Sequence, residues 1–184
     1  ALDKTLTAIR QYSPMPIGLQ LAHAGRKAST EKPWDGGGSI APDEVNGWQT
    51  VAPSALAYDE NSTVPTAMDQ KNIDSLISDF VDAARRADAL GLDLIELHGA
   101  HGYLLHQFLS PLSNKRDDQY GGSLENRMRL LLDVFTAVRA EFSSKKPVGV
   151  RVSATDWAQG GWDLAQTIEL AKALEALGCD YIHV

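Results

Sequence analysis

Four short apolar runs, alternating with stretches of helical periodicity, constrain this chain more than any other feature. The runs cover residues 17–22, 92–98, 147–153 and 179–184. Short apolar runs of this kind read as buried strands. Helical periodicity precedes each one. Residues 2–12 place Leu2, Leu6 and Ile9 on one face, and Ser13-Pro14 ends that helix. Residues 69–90 carry a stripe of Ile73, Leu76, Ile77, Phe80, Val81, Ala84 and Ala87, with Asp69 as N-cap and Gly91 as stop. Ser123 caps a helix to about residue 142, with Leu124, Met128, Leu131, Phe135 and Val138 facing inward. Asp163-Leu164-Ala165-Gln166 reads as a capping box opening a helix that ends at Gly178. Helix and strand in strict alternation imply an α/β protein with a parallel sheet and right-handed crossovers.

Parallel strands covered on both sides should be apolar throughout. Here polar residues interrupt them on one face only. Gln20 shares a face with Gly18 and Ala22, Glu96 and His98 share one with Leu94, and Arg151 shares one with Gly149 and Ser153. The opposite faces are bulky: Leu19 and Leu21, Ile95 and Leu97, Val150 and Val152. A (β/α)8 barrel accounts for this, with bulky faces toward an outer layer of helices and polar residues near the inner mouth. The C-terminal mouth is where such barrels place their active sites. Glu96 is read as the ion-pair partner of Arg151, filling the barrel; Arg151 itself is read as an anion-stabilising group.

Between the second strand and the helix-compatible run 104–109 lies His98-Gly99-Ala100-His101-Gly102-Tyr103. Imidazole can donate a hydrogen bond to a carbonyl oxygen and a phenol can give up a proton. His98, His101 and Tyr103 together suit a substrate polarised at one atom and protonated at another. The plainer alternative is a capped turn with satisfied core histidines. His98-x-x-His101 has the wrong spacing for a zinc helix and no evident third ligand, so no metal site is expected.

Residues 25–68 form a long irregular region containing Gly36-Gly37-Gly38, Asn46-Gly47 and prolines at 33, 42, 53 and 65. A loop of that length suits a lid, and Trp34 and Trp48 argue against plain disorder. At 184 residues the chain is long enough for one domain with a real core. Its net charge of −7 argues against bulk nucleic-acid binding. The single cysteine, Cys179, forms no internal disulfide and fits a reducing, cytoplasmic setting. No apolar run has the length of a membrane span, and the start of the chain does not resemble a signal peptide.

Several linked motifs, in order, resemble the old yellow enzyme family, most closely its thermophilic-like branch of xenobiotic reductases. They are Gln20-Leu21-Ala22-His23-Ala24-Gly25-Arg26-Lys27, His98-Gly99-Ala100-His101-Gly102-Tyr103-Leu104, Ser110-Pro111-Leu112-Ser113-Asn114-Lys115-Arg116, Tyr120-Gly121-Gly122-Ser123-Leu124-Glu125-Asn126-Arg127 and Val150-Arg151-Val152-Ser153. The resemblance implies an FMN-containing (β/α)8 barrel that reduces activated C=C bonds of enones or nitro compounds with NADPH or NADH, in ping-pong fashion. It implies that Gln20 and Arg151 hydrogen-bond the flavin, Arg151 stabilising negative charge at N1, with His98 also at the cofactor. His98 and His101 would hold the substrate oxygen, and Tyr103 would protonate the α-carbon while flavin N5 delivers hydride to the β-carbon. Beside the resemblance, Ser110 to Arg127 are expected to brace a loop, Arg26 and Lys27 to lie in a solvated loop with a phosphate or nicotinamide contact as the weaker alternative, and Cys179 to be a small buried residue.

A full barrel needs about 250 residues. The chain is therefore expected to supply roughly strands three to six of eight, to lack the flavin-phosphate site, to bind FMN poorly alone and to expose apolar edges. A homo-oligomer is expected for a full-length parent. The rival reading is a non-catalytic α/β fragment, or a half-barrel that pairs with itself without flavin.

Overall fold

The computed structural model describes residues 2–184. After helix α1 (Leu2–Arg10), a four-stranded sheet forms from β1 (Gly18–Leu21), β4 (Leu94–Gly99), β5 (Val148–Val152) and β6 (Tyr181–His183). All three pairings are parallel, and each strand lies beside the one before it. The crossovers are α2 (Gln70–Ala89), then α3 (Leu104–Leu109) with α4 (Leu124–Glu141), then α5 (Leu164–Ala176).

Side-chain caps start the long helices. At α2, Asp69 accepts from the Asn72 N–H at 2.8 Å, and Asn72 Oδ1 accepts from the Asp69 N–H at 3.2 Å, a reciprocal box. Ser123 caps α4 through the Asn126 N–H. The expected box at α5 is only half made. Asp163 accepts from the Gln166 N–H at 2.9 Å, but the Gln166 side chain turns to the buried Arg127, accepting from Nη2 at 2.7 Å. A charged donor in the interior outcompetes a solvated cap N–H for that amide oxygen.

The outward sheet face is the core. Ile95, Leu97, Val148 and Val150 are fully buried, packed with Ile73, Leu131, Val134, Phe135 and Leu174 from the helices. Each such side chain contributes about 1.5–3 kcal/mol of burial. The inward face is layered by register. Gln20, Glu96, Gly149 and Tyr181 lie side by side, with His98, Arg151 and His183 one step toward the C-terminal ends. Gly149 is required where it stands, because a Cβ there would run into the Tyr181 ring. Burial pushes the Tyr181 phenol up to about 12, so it is protonated at neutral pH.

Two expectations need correction. Glu96 does not pair with Arg151: its carboxylate accepts from Gln20 Nε2 at 2.6 Å and contacts His183 Nδ1 at 3.2 Å. The register sets Glu96 level with Gln20 and one layer below Arg151, so the nearer donors win. Residues 25–68 are not wholly irregular. One-turn 3₁₀ helices lie at Gly25–Lys27 and Pro33–Asp35, and β2 (Val51–Ala52) pairs in parallel with β3 (Thr66–Ala67). Trp34 and Trp48 in this region are 79% and 53% exposed. Its buried residues include Ser29, Ile40, Thr50, Ala52 and Met68.

The Ser110–Arg127 segment is braced as expected. Arg127 is buried and donates to the carbonyls of Leu109 and Gly122, and Asn114 Nδ2 donates to those of Phe108 and Tyr120.

Gly149→Ala is expected to destabilise the fold by about 1–3 kcal/mol, since the added methyl overpacks a site the Tyr181 ring fills. Urea denaturation would read this as a lower midpoint at unchanged slope.

Candidate active site at the β4–α3 turn

β4 delivers His98 to its C-terminal end, where the imidazole is buried. The chain then turns through His101 and Gly102, both left-handed with φ of 58° and 69°. For His101 that conformation costs about 1–2 kcal/mol. The turn sets the His101 ring 5.0 Å from that of His98, and the Tyr103 ring 5.2 Å from His98 in an edge-on arrangement. Tyr103 is the N-cap residue of α3, held by its own N–H to the Ala100 carbonyl at 3.1 Å and by the Leu104 N–H to the His23 carbonyl at 2.8 Å. The three side chains named from sequence thus converge.

Arg151 lies beside His98 in the β4–β5 register, half-buried, and its guanidinium has no hydrogen-bond or ion-pair partner among the described residues. Gln20 is one layer below, on the exposed rim of β1. Its Nε2 is held by Glu96, which leaves Oε1 without a partner among the described residues. His98 Nδ1 is buried and unpartnered. Burial, then the neighbouring His101 and Arg151, depress the His98 pKa; burial and Arg151 depress that of His101. Both rings are therefore neutral at neutral pH, and each has one N–H to donate.

Several residues at this site were missed from sequence. Arg26 and Lys27 are half-buried and tied to the fold rather than freely solvated. Arg26 Nη1 donates to the carbonyls of Leu56 and Ala57, at 3.1 and 3.0 Å, and Lys27 Nζ donates to the His101 carbonyl at 3.0 Å. Lys27 Nζ also lies 4.8 Å from the centre of the Tyr58 ring and 5.6 Å from that of Tyr103. Ser153 Oγ accepts from the His101 N–H at 3.0 Å. A cleft of about 330 Å³ opens between Lys27, Tyr58, His101, His106, Ser153 and Asp156. The long separations in sequence between these groups hid them; only the His/Tyr cluster is local.

The profile of the NADH:flavin oxidoreductase / NADH oxidase family matches residues 1–184. The chain belongs to this family. Among its curated members, the chain is 45% identical to the NADH:flavin oxidoreductase FG08077 of Gibberella zeae, over 98% of this chain and 47% of that protein. It is 44% identical to an NADPH dehydrogenase of Listeria monocytogenes, over 100% of this chain and 49% of the relative. The chain thus spans about half the length of the curated relatives it matches. Among solved structures, morphinone reductase in complex with tetrahydroNAD superposes with a TM-score of 0.80 at 32% identity, covering 99% of this chain and 52% of that one. The old yellow enzyme homologue from Zymomonas mobilis superposes with a TM-score of 0.76 at 33% identity, covering 96% of this chain and 49% of the other. The four parallel strands and their helices are therefore part of the family's (β/α)8 barrel, and the inward polar face is the barrel interior. No helix among the described residues is long and apolar enough to cross a membrane.

Titration of the ring protons by NMR is expected to place the His98 and His101 midpoints below the ordinary 6.5. The unfolded chain then takes up protons near pH 6.5 that the folded rings refuse, so their contribution to stability is intact above that pH and falls as pH drops toward the folded midpoints. A midpoint above 6.5 for either ring would contradict the assignment.

Proposed function

We propose that this chain carries the catalytic face of an FMN-dependent, NAD(P)H-driven ene-reductase acting on activated C=C bonds of α,β-unsaturated carbonyl or nitro compounds. The observation that carries the reading is a neutral imidazole, His98, with a second neutral imidazole 5.0 Å away and a phenol ring 5.2 Å away at the mouth of the barrel, beside an unpaired guanidinium.

The residues fit a flavin. A buried, orphaned His98 Nδ1 and an unpartnered Arg151 are costly unless a polar ligand meets them. Gln20 offers a free acceptor on the same face. Arg151, Gln20 and His98 would hold the polar edge of the ring system, Arg151 placing fixed positive charge where the reduced ring is electron-rich. FMN, when bound, supplies the hydride it has taken from NAD(P)H in a separate half-reaction.

The chain's own residues do the rest. His98 and His101 each donate an N–H to the substrate oxygen, drawing electron density from the double bond. Tyr103 gives its phenolic proton to the α-carbon. Lys27 holds the carbonyl of His101 and so steadies the turn. Residues 25–68 act as the lid: the Arg26 guanidinium grips Leu56 and Ala57 and holds Tyr58 near Lys27 at the edge of the cleft, which keeps water from the reacting atoms. The single, half-buried cysteine fits a cytoplasmic enzyme.

An absorbance spectrum after incubation with FMN and desalting tests this reading. Retained flavin, bleached by NADPH and restored by 2-cyclohexenone, is the expected result for the full-length protein. Tyr103→Phe is expected to slow reoxidation by the enone about 100-fold, the usual scale of general-acid catalysis, with bleaching by NADPH changed less than about twofold. No retained flavin would favour the non-catalytic α/β reading.

A further inference from the structure

Behind the His101–Gly102 turn lies a second histidine that the proposed chemistry does not use. His106 is on the first turns of α3 and is 5% exposed. Its Nδ1 accepts from the Gly102 N–H at 2.8 Å, so that nitrogen carries no proton. Its Nε2 lies 2.9 Å from Asp156 Oδ1, in the loop after β5, with both side chains about nine-tenths buried. The Nε2–Asp156 contact is close but not aligned as a hydrogen bond, so it acts through charge: a carboxylate accepts only, and the tautomer with the proton on Nε2, facing Asp156, and Nδ1 free to accept from Gly102 is the one that suits both neighbours. Asp156 is itself fixed: Oδ2 accepts from Ser110 Oγ at 2.6 Å and from the Trp162 N–H at 2.7 Å. These bonds, with the His106 contact, hold its pKa below the usual carboxylate value against the opposing effect of burial.

We propose that the His106–Asp156 pair is a positioning device for the imidazole site: Asp156 selects the His106 tautomer, and His106 Nδ1 locks the left-handed Gly102, so that the His101 ring is held against His98. Gln107 Nε2 closes the other side of the same residue, donating to the Gly102 carbonyl at 2.7 Å. Ser153 and Lys27 tie the N–H and carbonyl of His101. Every backbone polar group of His101 and Gly102 therefore has a partner, and the partners come from three separate parts of the chain. Of these ties only the one through His106 depends on a tautomer, and that tautomer is set by a residue outside the turn. The Tyr103 backbone is anchored independently, through Ala100 and through the Leu104–His23 bond. Loosening the pair therefore moves the imidazole and leaves the phenol. The proposal rests on the reading of His98 and His101 as the substrate-oxygen site.

Three variants of the FMN-loaded protein separate this role from simple core filling. In His106→Asn the amide oxygen stands near the old Nδ1 and can still accept from Gly102, although it no longer reaches Asp156. In His106→Gln the amide reaches toward Asp156 but the Nδ1 acceptor is lost. Asp156→Asn keeps an oxygen for Ser110 and Trp162 but presents an N–H₂ to His106, which drives the proton to Nδ1 and faces one donor with another.

Amide hydrogen exchange of Gly102, read by NMR, is expected to stay within about threefold of the parent in His106→Asn and to quicken at least about tenfold in His106→Gln and Asp156→Asn. KM for 2-cyclohexenone is expected to rise about tenfold in the latter two, with kcat changed less than about threefold, the scale of one lost hydrogen bond. Adding His106→Asn to Asp156→Asn should restore Gly102 protection. Equal exchange in His106→Asn and His106→Gln, or an unchanged Asp156→Asn, would overturn the clamp. Lost protection with an unchanged KM would overturn the positioning role. Failure of the ene-reductase reading is separable, since it appears in the unmutated protein as an absence of enone reduction.

Discussion

Burial of the outward sheet face beneath the helices is the interaction on which the rest of the structure depends. Ile95, Leu97, Val148 and Val150 lose all contact with water, and the residues between them must point the other way. That inward face carries Gln20, Glu96, His98 and Arg151 along with two glycines, Gly18 and Gly149. The same packing that stabilises the sheet thus aims its polar groups at one interior.

The electrostatics of that interior are local. The chain as a whole carries a net charge of −7, yet Arg151 lies beside His98 with no carboxylate to neutralise it. Glu96, the only acid on the strand faces in this layer pair, is occupied by Gln20 and His183. An unneutralised guanidinium and partial burial both disfavour protonation of His98 and His101. Neutral imidazoles donate to an oxygen without placing full positive charge next to Arg151. Membership of the NADH:flavin oxidoreductase / NADH oxidase family gives this arrangement a chemical setting, and the proposed flavin would complete it.

The turn that presents these rings stores strain, and the surrounding loops over-determine it. His101 adopts a backbone conformation that L-residues avoid, and Ser153, Lys27, His106 and Gln107 each hold one of the polar groups of the turn. The long segment after β1 takes part as well, because Arg26 and Lys27 link the turn to residues 56–58. A region that looks irregular along the chain is thereby tied to the most exacting few residues of the fold.

Local pattern determined a great deal. Periodicity separated strands from helices, the polar interruptions identified the interior face, and His98, His101 and Tyr103 lay within six residues of one another, where residue chemistry alone singled them out. Strand ends were off by one or two residues, as for β4, which begins at Leu94 rather than Leu92. Tertiary structure alone decided who partners whom. Glu96 went to Gln20 and His183 because strand register fixes which residues share a layer. Ser153 and Lys27 reached His101 across 52 and 74 residues of chain. His106 and Asp156 read as an ordinary helix residue and an ordinary loop acid until the fold put one against the other. Periodicity encodes which face a residue occupies; the neighbour it meets there is set by how separate elements dock, and no local window contains both partners.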